Sequence, residues 1–242
     1  MQQYFINRPV PESITLEDQK TVHHITRVMR MEKGDIVALC GLDTACHAAR
    51  IEGFSQNSVT LSRLYPLRDV THPLSITLAL ALIRKQPFEL ALQKAVELGI
   101  EGFIPLSCER SVVRFKESDV AKKTARFEKI AKEAAEQSRR SNVPHIHPAS
   151  TPENLDLSAY DTILIPYENE TTQDAASVFK TLEKGMNVLV VIGPEGGFSD
   201  KEIGHFTELG AKTLSLGPRV LRSETAVFYT LSAINYETEG GA

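Results

Sequence analysis

From Leu74 to the C-terminus, short apolar runs alternate with amphipathic ones, and this alternation limits the possible folds more than any other property of the chain. LSITLALALI (74–83), GFIPLS (102–107), TILIPYE (162–168), NVLVVIG (187–193) and AKTLSLG (211–217) have the length and composition of strands, and none is long enough to cross a bilayer. Between them, PFELALQKAVELG (87–99), a long segment from Glu117 to Arg140, and stretches near 173–184, 200–209 and 223–236 carry helical spacing. Strands and helices in strict alternation imply a mostly parallel sheet covered by helices on both faces, an α/β fold.

The N-terminal part follows a different rule. GDIVALCG, TACHAARIEGF and NSVTLSRLY, separated by turn-forming clusters, read as a β meander over 35–65, and short strands at this spacing suggest a small barrel. Ahead of them, QKTVHHITRVMRM (19–31) places Val22, Ile25, Val28 and Met29 at helical spacing, with Arg27 and Arg30 together on the polar side. PLRDVTHP, bracketed by Pro66 and Pro73, reads as a linker. A chain of 242 residues accommodates the two domains this implies, 1–70 and 71–242.

Charge and cysteine content exclude several classes. With 27 Lys and Arg against 31 Asp and Glu, the net charge of −4 does not advertise a polyanionic partner. The distribution is uneven, however, since Glu109 to Arg140 holds ten basic residues against six acidic ones. In that stretch Val120, Phe127, Ile130, Ala131 and Ala134 form an apolar stripe, and Lys122, Arg126 and Lys129 form a basic one. The basic stripe is either a solvated face or a phosphate-contact surface. Cys40, Cys46 and Cys108 leave one cysteine unpaired under any bridging scheme, lack metal-ligand spacing, and read as buried thiols. His145 and His147 share a strand face without further ligands nearby, so no metal is expected. The N-terminal MQQYFINRPVPE has no basic flank followed by an apolar core, which predicts a cytoplasmic protein without a membrane partner.

Two loops carry the chemistry. VVIGPEGGFSDKEI (190–203) and TLSLGPRVLRSETAVF (213–228) each run an apolar strand through a Gly-Pro step into a helix. Ligands collect outside the carboxyl ends of parallel strands, so the two loops are expected to enclose one pocket. Neither loop has the Gly-Lys-Ser/Thr of a nucleotide triphosphate site or the G-x-G-x-x-G of a dinucleotide site. Glu195 would repel phosphate, but a carboxylate can accept hydrogen bonds from ribose hydroxyls and tolerates a neighbouring cation. S-adenosylmethionine, a phosphate-free adenosine joined to a sulfonium, fits both requirements. A plain connection is the competing reading of the first loop, with Ser199 as N-cap and Glu202 closing a capping box. The second loop crowds Arg219, Arg222, Glu224 and Thr225 around its turn, where connectivity alone needs only Gly and Pro.

IGPEGGFS (192–199) and LGPRVLRSETA (216–226), together with LIRKQPFELALQKAVELGIEGFIPLSCERSVV (82–113), EQSRR (136–140), ILIPYE (163–168) and HHITRVMRMEKGD (23–35), resemble the RsmE family of 16S ribosomal RNA uridine-N3 methyltransferases in the SPOUT superfamily. The resemblance covers both domains. It implies an N-terminal PUA-like RNA-binding β-barrel and a C-terminal SPOUT α/β domain whose chain threads a trefoil knot. It also implies a homodimer, with 16S rRNA, within the 30S subunit, as the substrate. Arg139 stands where the family pattern has a small residue, and Ser223 where Thr is common.

On this resemblance, S-adenosylmethionine would lie among Pro166, Glu168, Ile192, Gly193, Pro194, Glu195, Gly196, Gly197, Leu216, Gly217, Leu221 and Thr225. Arg222, Arg140 and Glu224 are the candidate catalytic residues: two donors for the developing pyrimidine anion and one proton acceptor. Arg27, Arg30, Arg110, Lys122 and Arg126 are the candidate RNA contacts. A non-catalytic rRNA-binding assembly factor with a vestigial pocket is the alternative.

Overall fold

The computed structural model describes residues 1–68 and 72–239. The chain separates into two compact units, Met1–Thr71 with Ala135–Val143, and His72–Ala134 with Pro144–Ala242. The boundary expected at 70/71, and three of the eight residues read as a linker, lie outside the described residues. Of the rest of that segment, Pro66 ends a strand and the Leu67 N–H donates to the Cys46 carbonyl at 2.8 Å.

The first unit contains β1 (Gln3–Phe5), β2 (Ser13–Leu16), α1 (Gln19–His23), β3 (Ile36–Cys40), β4 (Cys46–Ser55) and β5 (Ser58–Pro66). The strands form one mixed sheet in the order β1-β3-β4-β5-β2, with β1 parallel to β3 and the other pairs antiparallel. Register shifts on β4 at His47/Ala49 and Ile51/Gly53 bend that strand and curl the sheet around Ile14, Ile25, Val37, Leu39, Ile51 and Leu61. The meander therefore appears as expected.

Two expectations for this unit need correction. The helix at 19–31 is α-helical only to His23, and His24–Val28 winds as a π-helix in which the Met29 N–H bonds the His24 carbonyl at 2.8 Å. The wider winding breaks the expected stripe: Val22 and Ile25 are buried, whereas Val28 is 57% exposed and Met29 44%. Arg30 then ends the segment in the left-handed region at φ 52°. The second correction concerns sulfur. Cys40 and Cys46 are disulfide-bonded rather than free, because the β3–β4 register sets them opposite each other with Cα atoms 4.1 Å apart. Cys108 remains a buried thiol.

The second unit contains β6 (Ser75–Ala81), α2 (Lys85–Glu97), β7 (Gly102–Leu106), α3 (Val120–Ser138), β8 (His145–Ile146), β9 (Thr162–Pro166), α4 (Ala175–Phe179), β10 (Asn187–Ile192), α5 (Asp200–Glu208), β11 (Lys212–Leu214) and α6 (Ser223–Glu239); the end of α3 passes into the first unit. Every strand pair in its six-stranded sheet is parallel, in the order β11-β9-β10-β6-β7-β8. The central strands β6 and β10 are buried almost throughout, as a sheet covered on both faces requires.

Phe127 of α3 packs against Phe88 of α2 and Phe103 of β7, with ring centroids 5.2 and 6.4 Å apart. Helix α3 starts at Val120 after a 3-10 turn over Glu117–Asp119. Helix α4 is shorter than expected from 173–184. Asp174 caps its start by accepting from the Ser177 N–H at 3.0 Å, and the Thr181 hydroxyl takes the Val178 carbonyl at 2.7 Å just past its end. No helix among the described residues is long and apolar enough to cross a membrane.

Candidate functional site

Because β9, β10 and β11 are neighbouring parallel strands, the segments that follow them emerge at one edge of the sheet. They enclose a cleft of about 660 Å³. Its wall includes Pro166, Tyr167 and Glu168 after β9, Pro194, Glu195 and Gly197 after β10, and Leu216, Gly217, Leu221 and Arg222 after β11. The pairing of the two Gly-Pro loops expected from the sequence is thus realised in space.

Backbone conformation explains two of the glycines. Gly197 closes a turn by donating its N–H to the Pro194 carbonyl at 2.9 Å and sits at φ 68°, where a Cβ would run into the Glu168 carboxylate. Gly217 is at φ 104° and donates its N–H to Ser215 Oγ at 3.3 Å. The loops are also joined directly, since Ser223 Oγ donates to the Gly193 carbonyl at 2.8 Å.

The capping box at the start of α5 is present. Glu202, only 4% exposed, accepts from the Ser199 N–H at 2.8 Å and from Ser199 Oγ at 3.1 Å, and its other oxygen accepts from the Glu109 N–H at 2.8 Å. One carboxylate therefore fastens the β10 loop and also holds the turn after β7. Nearby, burial foremost, with the negative charge of Glu202, pushes the Cys108 thiol well above its ordinary value and keeps it protonated.

The cleft carries three carboxylates, Glu168, Glu170 and Glu195, against Arg219 and Arg222. Glu195 accepts from the Arg84 N–H at 3.4 Å. Glu170 accepts from the Thr172 hydroxyl and N–H, both at 2.7 Å, and from the Thr213 hydroxyl at 2.6 Å. These hydrogen bonds hold its carboxyl at about 2, below the ordinary 4.5. Tyr167, Glu170 and Thr171 were not singled out from the sequence, although the strand-end rule that located the Gly-Pro loops applies equally to the end of β9.

Other candidates stand outside the cleft wall. Ile192 is buried at the end of β10, and a Cβ on Gly193 would meet the Phe198 ring at 3.0 Å. At Gly196 a Cβ would meet Arg110 at 3.3 Å. Thr225 lines a separate hollow of about 590 Å³ between α4 and α6, with Phe179, Phe228, Tyr229 and Tyr236. Glu224 is half-buried in the first turn of α6. Arg140 belongs to the first unit, where its side chain is buried, Nη2 donates to Asn142 Oδ1 at 3.1 Å, and its carbonyl accepts from Gln3 Nε2 at 2.6 Å.

Of the proposed RNA contacts, Arg27, Arg30 and Lys122 are exposed. Arg126 is paired with Glu89 at 2.7 Å, a hydrogen bond that also lowers the Glu89 carboxyl. Arg110 is also exposed, but its Nη1 is engaged, donating to the Phe198 carbonyl at 3.0 Å. Among the described residues no group of three or more His, Cys, Asp or Glu is arranged to hold a metal; His145 and His147 stack edge to face at 4.4 Å.

A family model described as an RNA methyltransferase domain matches residues 70–235. A ribosomal RNA small subunit methyltransferase E of Bacillus subtilis is 36% identical over 252 residues, covering 99% of this chain and 98% of the relative. Among solved structures, a ribosomal RNA small subunit methyltransferase E of Neisseria gonorrhoeae bound to S-adenosyl methionine shares 25% identity over 97% of both chains, with a TM-score of 0.84. A methyltransferase of Legionella pneumophila, solved in complex with the bound cofactor S-adenosylmethionine, shares 29% identity over 97% of this chain and 98% of that one, with a TM-score of 0.82. Likeness on this scale covers nearly the whole chain, and the chain belongs to the ribosomal RNA small subunit methyltransferase E family.

Proposed function

We propose that the chain transfers a methyl group from S-adenosylmethionine to N3 of a uridine in the 16S rRNA of the small subunit. The observation that carries this reading is the cleft at the shared edge of β9, β10 and β11, where family membership and local chemistry agree. Its volume of about 660 Å³ suits a ligand of nucleoside size. Pro166, Pro194, Leu216 and Leu221 offer apolar contact for a base, while Glu168 and Glu195 favour a cation and accept from ribose hydroxyls. The residues present therefore fit the group.

When bound, S-adenosylmethionine supplies a methyl group on a positively charged sulfur. Uridine N3 becomes nucleophilic as its imide proton leaves and negative charge spreads to O2 and O4. Arg222, at the cleft wall, is placed to stabilise that charge in this reading, and its backbone, fixed immediately before α6 by the Ala226 N–H, reduces the reorganisation needed during transfer. Glu224, two residues further on in the first turn of α6, is the proton acceptor in this reading, whereas Arg140, buried in the first unit, is given no part in the transfer.

Arg27, Arg30, Lys122 and the basic face of α3 contact RNA phosphate in this assignment, which orients the substrate without reading its sequence. The mixed, curled sheet of the first unit supports a PUA-like barrel. Family membership supports a trefoil knot in the second unit. The hollow between α4 and α6, with Tyr236 78% exposed, supports a homodimer. Assembled 30S subunits in the cytoplasm complete the proposal.

The test supplies methyl-labelled S-adenosylmethionine with naked 16S rRNA or with 30S particles and locates the label by nucleoside mass spectrometry. Label on N3 of one uridine is the expected result. Absence of label on either substrate, with rRNA binding intact, would favour a non-catalytic assembly factor.

A further inference from the structure

The turn after β7 braces the β10 loop on the side away from the cleft. The turn over Cys108–Ser111 is closed by the Ser111 N–H to the Cys108 carbonyl and by the Cys108 N–H to Ser111 Oγ, both at 3.2 Å. It is fastened to α5 by the Glu109 N–H on Glu202 at 2.8 Å. From this fixed base Arg110 extends Nη1 to the Phe198 carbonyl at 3.0 Å and to the Gly196 carbonyl at 3.4 Å. Its stem lies against the loop, so a Cβ placed on Gly196 would stand 3.3 Å from Arg110 Cβ.

These two carbonyls flank Gly197, the left-handed residue at the cleft wall. With Gly193 O held by Ser223 and the Ser199 N–H held by Glu202, bonds from three separate segments fix the loop's backbone. A charged donor strengthens the Arg110 contacts, and a loop fixed in its binding shape loses less entropy when a ligand arrives.

We propose that Arg110 is a positioning residue for the methyl-donor loop rather than an RNA-phosphate contact. The assignment rests on the donor-binding reading given above. Its consequence is a split in kinetic effects, in which loss of the guanidinium weakens the donor and leaves RNA affinity unchanged.

Arg110→Met keeps an aliphatic stem over Gly196 and removes the donors, while Arg110→Lys keeps one charged donor. For both variants and wild type, calorimetry gives the Kd for S-adenosylhomocysteine, and kinetics give KM for S-adenosylmethionine and for RNA. Salt dependence of RNA binding and the melting midpoint complete the set. Arg110→Met should raise the donor KM and the S-adenosylhomocysteine Kd about ten-fold, with RNA KM and salt slope unchanged, and Arg110→Lys should recover part of the loss. Unchanged S-adenosylhomocysteine binding in Arg110→Met would overturn the role. So would an effect confined to RNA KM and salt slope, or a donor loss that follows a lowered melting midpoint in both variants. Wild type that binds no S-adenosylhomocysteine would overturn the donor reading itself, and with it this role.

Discussion

Arg222 and Glu170 line the same cleft and do different work there. The Arg222 carbonyl accepts the Ala226 N–H at 2.8 Å, which fixes the backbone of this cleft-lining residue at the start of α6. Arg222→Met should lower kcat about 10²- to 10³-fold and leave S-adenosylhomocysteine binding near wild type, as single-turnover transfer and calorimetry would show. An equal loss of donor affinity would make Arg222 a binding residue instead. Glu170 titrates at about 2 in the folded protein because hydroxyls and backbone N–H groups favour its carboxylate. A carboxyl lowered in this way stabilises the fold fully above its ordinary 4.5, and that contribution disappears as the pH falls towards 2. Glu170→Gln should therefore be less stable than wild type at pH 6, with the difference closing towards pH 2, measured as urea midpoints across that range. From the sequence, the strand-end rule reaches the end of β9 and the Thr172 bonds are local, but the bond from Thr213, 43 residues away, is not legible.

Among the elements, helix α3 was read correctly and the helix at 19–31 only in part. In α3 the apolar stripe is regular, and Phe127, Ile130, Ala131 and Ala134 are all buried. Phe127→Ala should cost about 3–5 kcal/mol, read from chemical denaturation, because it empties the space shared by three other phenylalanine rings. At 24–28 the winding changes from α to π, and periodicity assumes a constant winding. Val28 and Met29 consequently face outward between two arginines. Arg27→Ala with Arg30→Ala should weaken RNA binding and make the slope of log K against log salt shallower by roughly 1 to 2. An unchanged slope would remove this segment from the RNA footprint. Arg139 follows α3 at φ 60°, a conformation that glycine adopts at lower cost.

At the scale of the molecule, each unit has its own sheet and its own core, and α3 runs from the second unit's span into the first, ending at Ser138 within the 135–143 segment. The proposed homodimer gives the hollow between α4 and α6 a use, and Tyr236→Asp should shift the sedimentation coefficient towards that of a monomer if the hollow is the interface. A dimer of unchanged strength would place that interface elsewhere. The alternation of strands and helices from Leu74 onward, the parallel sheet and the location of both Gly-Pro loops followed from the sequence, because periodicity and strand-end position are local properties, whereas the short strands β1 and β2 did not. Tertiary structure alone decided which side chains meet. Register brought Cys40 opposite Cys46, and the shared edge of the parallel sheet, with β6 between β7 and β10, placed Arg110 against carbonyls 86 and 88 residues further along the chain. Such meetings depend on distances between segments that pack together only after the sheet has formed, and no local pattern in the chain encodes them.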